Sequence, residues 1–140
     1  CIRDSCKPDQ SCCQTPSVAH EYCYRHQCYE TTRLVADYLE LKPGTFSTSF
    51  QSRLAGDKWL DPYTDKTIEN FAKKGTKDMA VVTPAFVSDC LETLEEIGIE
   101  AVEDFEDNGG ENLHVVPCIN DSEGWVKVLS RWIDEWAVAS

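Results

Sequence analysis

The sequence predicts an α/β fold: a Rossmann-like parallel sheet with flanking helices, preceded by an irregular Cys-rich segment. Three observations carry that expectation. Helical and strand-like patterns alternate from about Tyr24 onward, which is the signature of a parallel sheet with helices on its faces. Two strand candidates are short apolar runs closed by proline, Met79-Ala80-Val81-Val82-Thr83 before Pro84 and Leu113-His114-Val115-Val116 before Pro117. Runs of that kind suit strands buried on both faces. Six of the eight cysteines fall in the first 28 residues, where apolar periodicity is nearly absent. That segment cannot order itself by burial and needs a metal or a crosslink. The expected division is a Cys-rich metal-binding segment over residues 1–22 and an α/β domain over residues 23–140.

The elements follow in order. Thr31, Leu34, Val35, Tyr38, Leu39 and Leu41 recur at helical spacing until Pro43-Gly44 stops the run. Phe46, Thr48 and Phe50 alternate with Ser47 and Ser49, a pattern for a short strand. Gln51 to Pro62 reads as a loop holding Gly56 and the apolar pair Trp59-Leu60. A second helix has Thr64 or Asp65 as cap, Ile68, Phe71 and Ala72 as its inner face, and Gly75 as its end. After the Met79 strand, Ser88 or Asp89 caps a third helix through Leu91, Leu94 and Ile97. After the Leu113 strand, Asn120-Asp121-Ser122 caps a last helix through Trp125, Val128, Leu129, Trp132 and Ile133. The four tryptophans read mainly as core, and His114 as a core or edge residue.

The 140 residues are enough for one domain with a real core. The net charge is −12, and residues 89–140 alone carry fourteen Asp/Glu against two Lys/Arg. A general nucleic-acid binder needs a basic face, so that class is disfavoured. No run approaches the ~20 apolar residues of a membrane span. The chain opens at Cys1 and not Met, which reads as a processed chain or a fragment.

The early cysteines follow the spacing C-x4-C-x5-C-C-x9-C-x4-C. Zinc, an iron–sulfur cluster and disulfides are all open readings. If the segment holds an iron–sulfur cluster, or zinc as the alternative, Cys6, Cys13, Cys23 and Cys28 are the best candidates for its four ligands. They leave slack for a loop to wrap the metal and use only one of the adjacent pair Cys12 and Cys13.

The third helix carries Asp89, Glu92, Glu95, Glu96 and Glu100. Glu92, Glu96 and Glu100 stand four apart, so they form one ridge roughly 12 Å long. A helix widened toward i→i+5 bonding, with Gly98 as its weak point, aligns them better. Such a ridge suits a hard divalent cation passed between oxygen ligands. Asp89-x-x-Glu92 also fits a capping box, which would explain Glu92 without chemistry. Against a purely structural row, like charges at i,i+4 repel, and no Lys or Arg lies between Asp89 and Glu111.

Several motifs stand together in one order: Ser49-Phe50-Gln51-Ser52-Arg53, Trp59-Leu60-x-Pro62-x-Thr64-Asp65, Phe86-Val87-Ser88-Asp89, Glu92-Thr93-Leu94-x-Glu96-x-x-x-Glu100 and Pro117-Cys118-x-Asn120. In that order and spacing the chain resembles the C-terminal half of ferrochelatase, over roughly residues 22 to 135. The resemblance implies a chelatase fold and the insertion of Fe(II) into protoporphyrin IX in haem biosynthesis, in the cytoplasm. It implies that Glu92 faces the metal, that Glu96 and Glu100 continue the acidic path, and that Asp89 is the acidic residue beside the site. Glu92 and Asp89 are then the catalytic pair. Ser52, Arg53 and Trp59 are placed on the porphyrin side. Where the family carries His after the aspartate, this chain has Cys90. The family's Ser-x-His-Gly motif has no counterpart, since Ser17-Val18-Ala19-His20 has a different spacing and no glycine. The base and the second wall of the cleft are thus expected from a missing N-terminal half, and the chain alone is expected to be inactive. The Cys-rich stretch is similar to the internal insert of some bacterial ferrochelatases, tied to a [2Fe-2S] cluster. The non-catalytic alternative is a Cys-rich metal or redox-sensing module on an α/β scaffold; a chelatase for another metal or tetrapyrrole is a third reading.

Overall fold

The computed structural model describes residues 11–51 and 59–139. The chain forms two compact units, divided between Ile68 and Glu69.

In the first unit, a short helix α1 (Ser11–Gln14) precedes a 3₁₀ turn over Val18–Tyr22 and the long helix α2 (Tyr24–Tyr38). Ser17 caps the 3₁₀ turn by accepting from the Ala19 N–H. The expected alternating strand from Phe46 to Phe50 does not form as a ladder. Only Phe50 pairs, in a parallel bridge to Tyr63. Hydroxyls along this stretch find other partners: Thr45 donates to Lys42 O, Thr48 to Thr32 Oγ1, and Ser49 accepts from Thr64. Ser and Thr side chains compete with the ladder in this way. Phe50 is buried, with Tyr29 edge-on and Tyr24 tilted against it. Arg25 is buried beside it and donates to Asp61 O at 3.2 Å, with the Asp61 carboxylate at 3.5 Å.

The helix α3 (Thr64–Lys73) follows the expected pattern, with Ile68 and Ala72 buried. Gly75 sits at φ +94°, and its N–H donates to Ala72 O while Thr76 N–H donates to Phe71 O. That left-handed close of the helix is what glycine permits.

The second unit is built on two parallel strands, β1 (Asp78–Val81) and β2 (Asn112–Val115), with Asp78 opposite Asn112 and Val81 opposite Val115. The crossover between them is a widened helix over Glu92–Glu100 that runs into α4 (Ala101–Asp107). Phe105, Ile97, Thr93, Ala101 and Leu113 are the buried residues of this β-α-β unit. Gly110 exists to let Phe105 sit where it does: a Cβ there would meet the ring at 2.3 Å. A last helix α5 (Glu123–Ala139) follows β2.

Two expectations change here. The strands are not buried on both faces; alternate residues of β1 are exposed. Two strands make a sheet with two edges, which cannot enclose its own faces. The tryptophans of α5 are not core either. Trp125 is half-buried, Trp132 and Trp136 are exposed, and no residue of α5 is buried. His114 lies exposed on the β2 edge. Among the described residues, no helix is long and apolar enough to cross a membrane.

Candidate functional site

Parallel sheets place their functional loops beyond the carboxyl ends of the strands. Here those loops are residues 82–90 after β1 and residues 116–122 after β2, and they are tied together. Asp89 N–H donates to Asn120 Oδ1 at 2.8 Å, and Asn120 Nδ2 donates to Asp89 Oδ2 at 2.6 Å. The other Asp89 oxygen accepts from the Cys118 N–H and from the Thr93 hydroxyl, each at 3.3 Å. Thr83 Oγ1 lies 3.5 Å from the Cys118 sulfur. These donors around one carboxylate hold its pKa below the usual value, with the Asn120 amide the largest cause.

The helix that follows does not start with the Asp89-x-x-Glu92 capping box that is the alternative reading of Glu92. The Cys90 carbonyl accepts from the Thr93 and Leu94 N–H groups, and the Cys90 N–H donates to Thr93 Oγ1 at 2.9 Å. Thr93 therefore does the reciprocal capping, not Glu92. The Glu92 carboxylate instead receives the Cys90 thiol, which lowers its pKa, and its own N–H adds to that effect. Thr93 and Asn120 are the two residues that motif reading passed over as site groups. The Asp89-x-x-x-Thr93 spacing was the available signal for one; the other needed the fold.

From Glu92 to Glu100 the helix is a π-helix, and the Ala101 N–H donates to the Glu96 carbonyl, five residues back. Gly98 stands where a Cβ would lie 3.3 Å from the Thr93 carbonyl, also five residues back. Thr93, Ile97, Ala101 and Phe105 are all buried. A row at intervals of four drifts by roughly 40° per step on a 3.6-residue helix. Bonding to the fifth residue puts more residues in each turn and offsets that drift. One face thus stays inward, and the neighbouring row, Glu92, Glu96 and Glu100, stays on one ridge. Glu92 is half-buried at its head, while Glu96 and Glu100 are exposed. The ridge can hand a cation along carboxylate oxygens, and its head can accept a proton.

The other expected site residues lie in the first unit. Trp59 is half-buried on its loop, while Ser52, Arg53 and Cys6 lie outside the described residues. Cys13 is on α1, Cys23 caps α2 and Cys28 lies within it. All three are free thiols, as are Cys12, Cys90 and Cys118. Burial raises the Cys13 pKa, and the neighbouring Cys12 adds to it. Burial also raises that of Cys28, against a hydrogen bond from the Tyr24 hydroxyl. Tyr24 in turn is pushed up to about 12 by burial and by Cys28. Among the described residues, no three His, Cys, Asp or Glu side chains are grouped to hold a metal. That holds for Glu92, Glu96 and Glu100 as for Cys13, Cys23 and Cys28, whose expected partner Cys6 lies outside the described residues.

A family model described as ferrochelatase matches residues 11–137. The chain belongs to the ferrochelatase family. Relatives named ferrochelatase include one from Opitutus terrae, 45% identical over 99% of this chain and 43% of its own length. The ferrochelatase of Brucella anthropi is 54% identical over 79% of this chain and 31% of its own. That of Bdellovibrio bacteriovorus is 45% identical over 87% of this chain and 36% of its own. The chain thus spans less than half the length of these ferrochelatases.

Proposed function

We propose that the protein inserts Fe(II) into protoporphyrin IX, with this chain as the C-terminal, metal-handling part of a cytoplasmic ferrochelatase. The observation that carries the reading is the π-helical ridge of Glu92, Glu96 and Glu100 beyond the strand ends, in a chain of the ferrochelatase family. Metal insertion must remove two protons from pyrrole nitrogens and strip water from the cation. Glu96 and Glu100 are exposed oxygen donors for the arriving iron, which is the substrate. Glu92, half-buried at the head, is the carboxylate nearest the macrocycle and accepts a proton from it. Asp89 keeps a second negative charge beside it. Ser52, Arg53 and Trp59 are, in this reading, the porphyrin-side residues. The rest of the longer enzyme supplies the opposite wall of the cleft and a further base, so this chain alone has no turnover.

Residues 1–22 form, in this reading, a metal-binding segment ahead of the α/β domain. Its group is a [2Fe-2S] cluster on Cys6, Cys13, Cys23 and Cys28, with zinc as the alternative. The support is that Cys12 and Cys23 lie close enough to Cys13 to help raise its pKa, and Cys23 close enough to Cys28 to do the same there. No step of iron insertion runs through that group.

The test is Glu92→Gln in the full-length protein. It keeps shape and hydrogen bonding but removes the charge. Iron insertion is expected to be abolished with porphyrin binding retained, whereas Glu100→Gln raises the iron concentration needed. A Glu92→Gln rate near wild type would overturn the reading.

A further inference from the structure

Asn120 makes three hydrogen bonds to one short stretch of chain. Its N–H donates to the Val87 carbonyl at 2.8 Å, its Oδ1 accepts from the Asp89 N–H, and its Nδ2 donates to the Asp89 carboxylate. Its amide orientation is dictated by its partners, because a backbone N–H needs an acceptor and a carboxylate needs a donor. The backbone at Asn120 is left-handed, with φ +51°. Asn adopts that region more readily than other non-glycine residues. A capping role for its side chain is not needed, since the Ser122 carbonyl already accepts the first bond of α5, from Val126.

Resting on the iron-insertion reading, we infer that Asn120 is a positioning residue whose clasp on Asp89 sets where Glu92 stands at the head of the carboxylate ridge. The coupling runs through contacts in sequence. Asn120 fixes the Asp89 backbone and one carboxylate oxygen; the other oxygen takes the hydroxyl of Thr93. Thr93 is buried and holds the Cys90 N–H. The Cys90 carbonyl accepts from the Thr93 and Leu94 N–H groups and so fixes the turn that carries Glu92. Asn120 itself touches neither metal nor macrocycle in this scheme. Without its amide, Asp89 loses the partners of its N–H and of Oδ2 and keeps only those of Oδ1, while the loop after β1 is still tied to the loop after β2 through the Cys118 N–H and the Asn120 N–H.

The experiment measures steady-state iron insertion by the full-length protein carrying Asn120→Gly or Asn120→Asp, beside Glu92→Gln. Asn120→Gly tolerates the left-handed backbone at no cost and removes only the amide. Asn120→Asp keeps the shape but turns the donor into an acceptor facing a carboxylate. Partners one step removed from a site are worth about 10–100-fold when mutated. The expected result is a kcat loss of that size in both variants. The porphyrin KM should stay within about twofold of wild type and the folded fraction unchanged, the pattern of a displaced reacting group. Wild-type kcat in either folded variant overturns the inference. So does a loss that only follows the folded fraction, or a raised KM at unchanged kcat. If Asn120→Gly fails to fold, the Asn120→Asp result decides. Loss in Glu92→Gln with wild-type kcat in the Asn120 variants sinks this inference alone. Wild-type kcat in Glu92→Gln sinks the reading beneath it.

Discussion

Adding one methyl group at Gly110 should destabilise the second unit more than any surface change of its size. A Cβ at Gly110 would stand 2.3 Å from Cδ1 and Cε1 of Phe105 and 2.6 Å from Cζ. Those are ring atoms of a fully buried side chain, not the end of a flexible one. Phe105 is also tied locally, because the Gly110 N–H donates to its carbonyl at 2.8 Å. The ring cannot swing clear without displacing its neighbours, so Gly110→Ala is an overpacking change, costing about 1–3 kcal/mol. For a unit of this size each kcal/mol lowers the thermal midpoint by about 4–8 °C. Gly124→Ala is the matched control. It lies in the first turn of α5, with nothing within 4 Å of its would-be Cβ. Removing a helical glycine there should be neutral or stabilise by up to about 1 kcal/mol. Thermal or urea unfolding followed by circular dichroism reads both. An unchanged midpoint for Gly110→Ala, or equal shifts of the same sign in the two variants, would refute the packing argument.

Two further outcomes follow from charge and burial. The Asp89 pKa is lower in the folded chain than the ordinary value of 3.8, so its ionised form stabilises the fold. That contribution is complete above the unfolded value and is lost as pH falls below it through the folded one. Asp89→Asn should therefore flatten the fall in stability on the acid side of pH ~4, measured by urea midpoints across pH; an unchanged acid limb would contradict it. Cys→Ser at Cys6, Cys13, Cys23 and Cys28 in turn should each lower metal content and open the chain to proteolysis before Tyr24. Full metal content in all four variants would remove the cluster proposal.

The helices were legible because their signals are local. Gly75 and the Asn120–Ser122 stretch are punctuation that acts through backbone geometry, and the structure stops or starts a helix beside each; α2 instead ends at Tyr38, ahead of Pro43-Gly44, where Glu40 turns left-handed at φ +54° and the Leu41 N–H donates to Ala36 O. The strand expected at Phe46–Phe50 failed for the opposite reason. Alternation measures only what one segment offers, and a strand exists only where a partner ladder meets it; here one bridge to Tyr63 is all that forms. The apolar face of α5 shows the same limit. Trp132, Ile133 and Trp136 have the spacing of an inner face, yet all three are exposed. Periodicity reports which side of a helix is apolar, not what lies opposite it.

The candidate site was half legible, and the division has a physical cause. Glu92, Glu96 and Glu100 announce themselves by interval, and Gly98 announces the widening that keeps them aligned. What sequence reasoning assigned differently was the load carried at the helix start. A capping box would occupy Glu92 and leave nothing for chemistry. The structure gives that task to Thr93, whose short hydroxyl reaches both the Cys90 N–H and Asp89. The Glu92 carboxylate does not take the Cys90 N–H; it keeps the Cys90 thiol as a weak donor beside its own N–H. A thiol is easily displaced by a cation or a proton, whereas a backbone N–H left without its acceptor would resist the exchange. The residue that takes the capping task in place of Glu92 is therefore Thr93. The helix start stays ordered because its own donor is satisfied by a side chain that never has to leave.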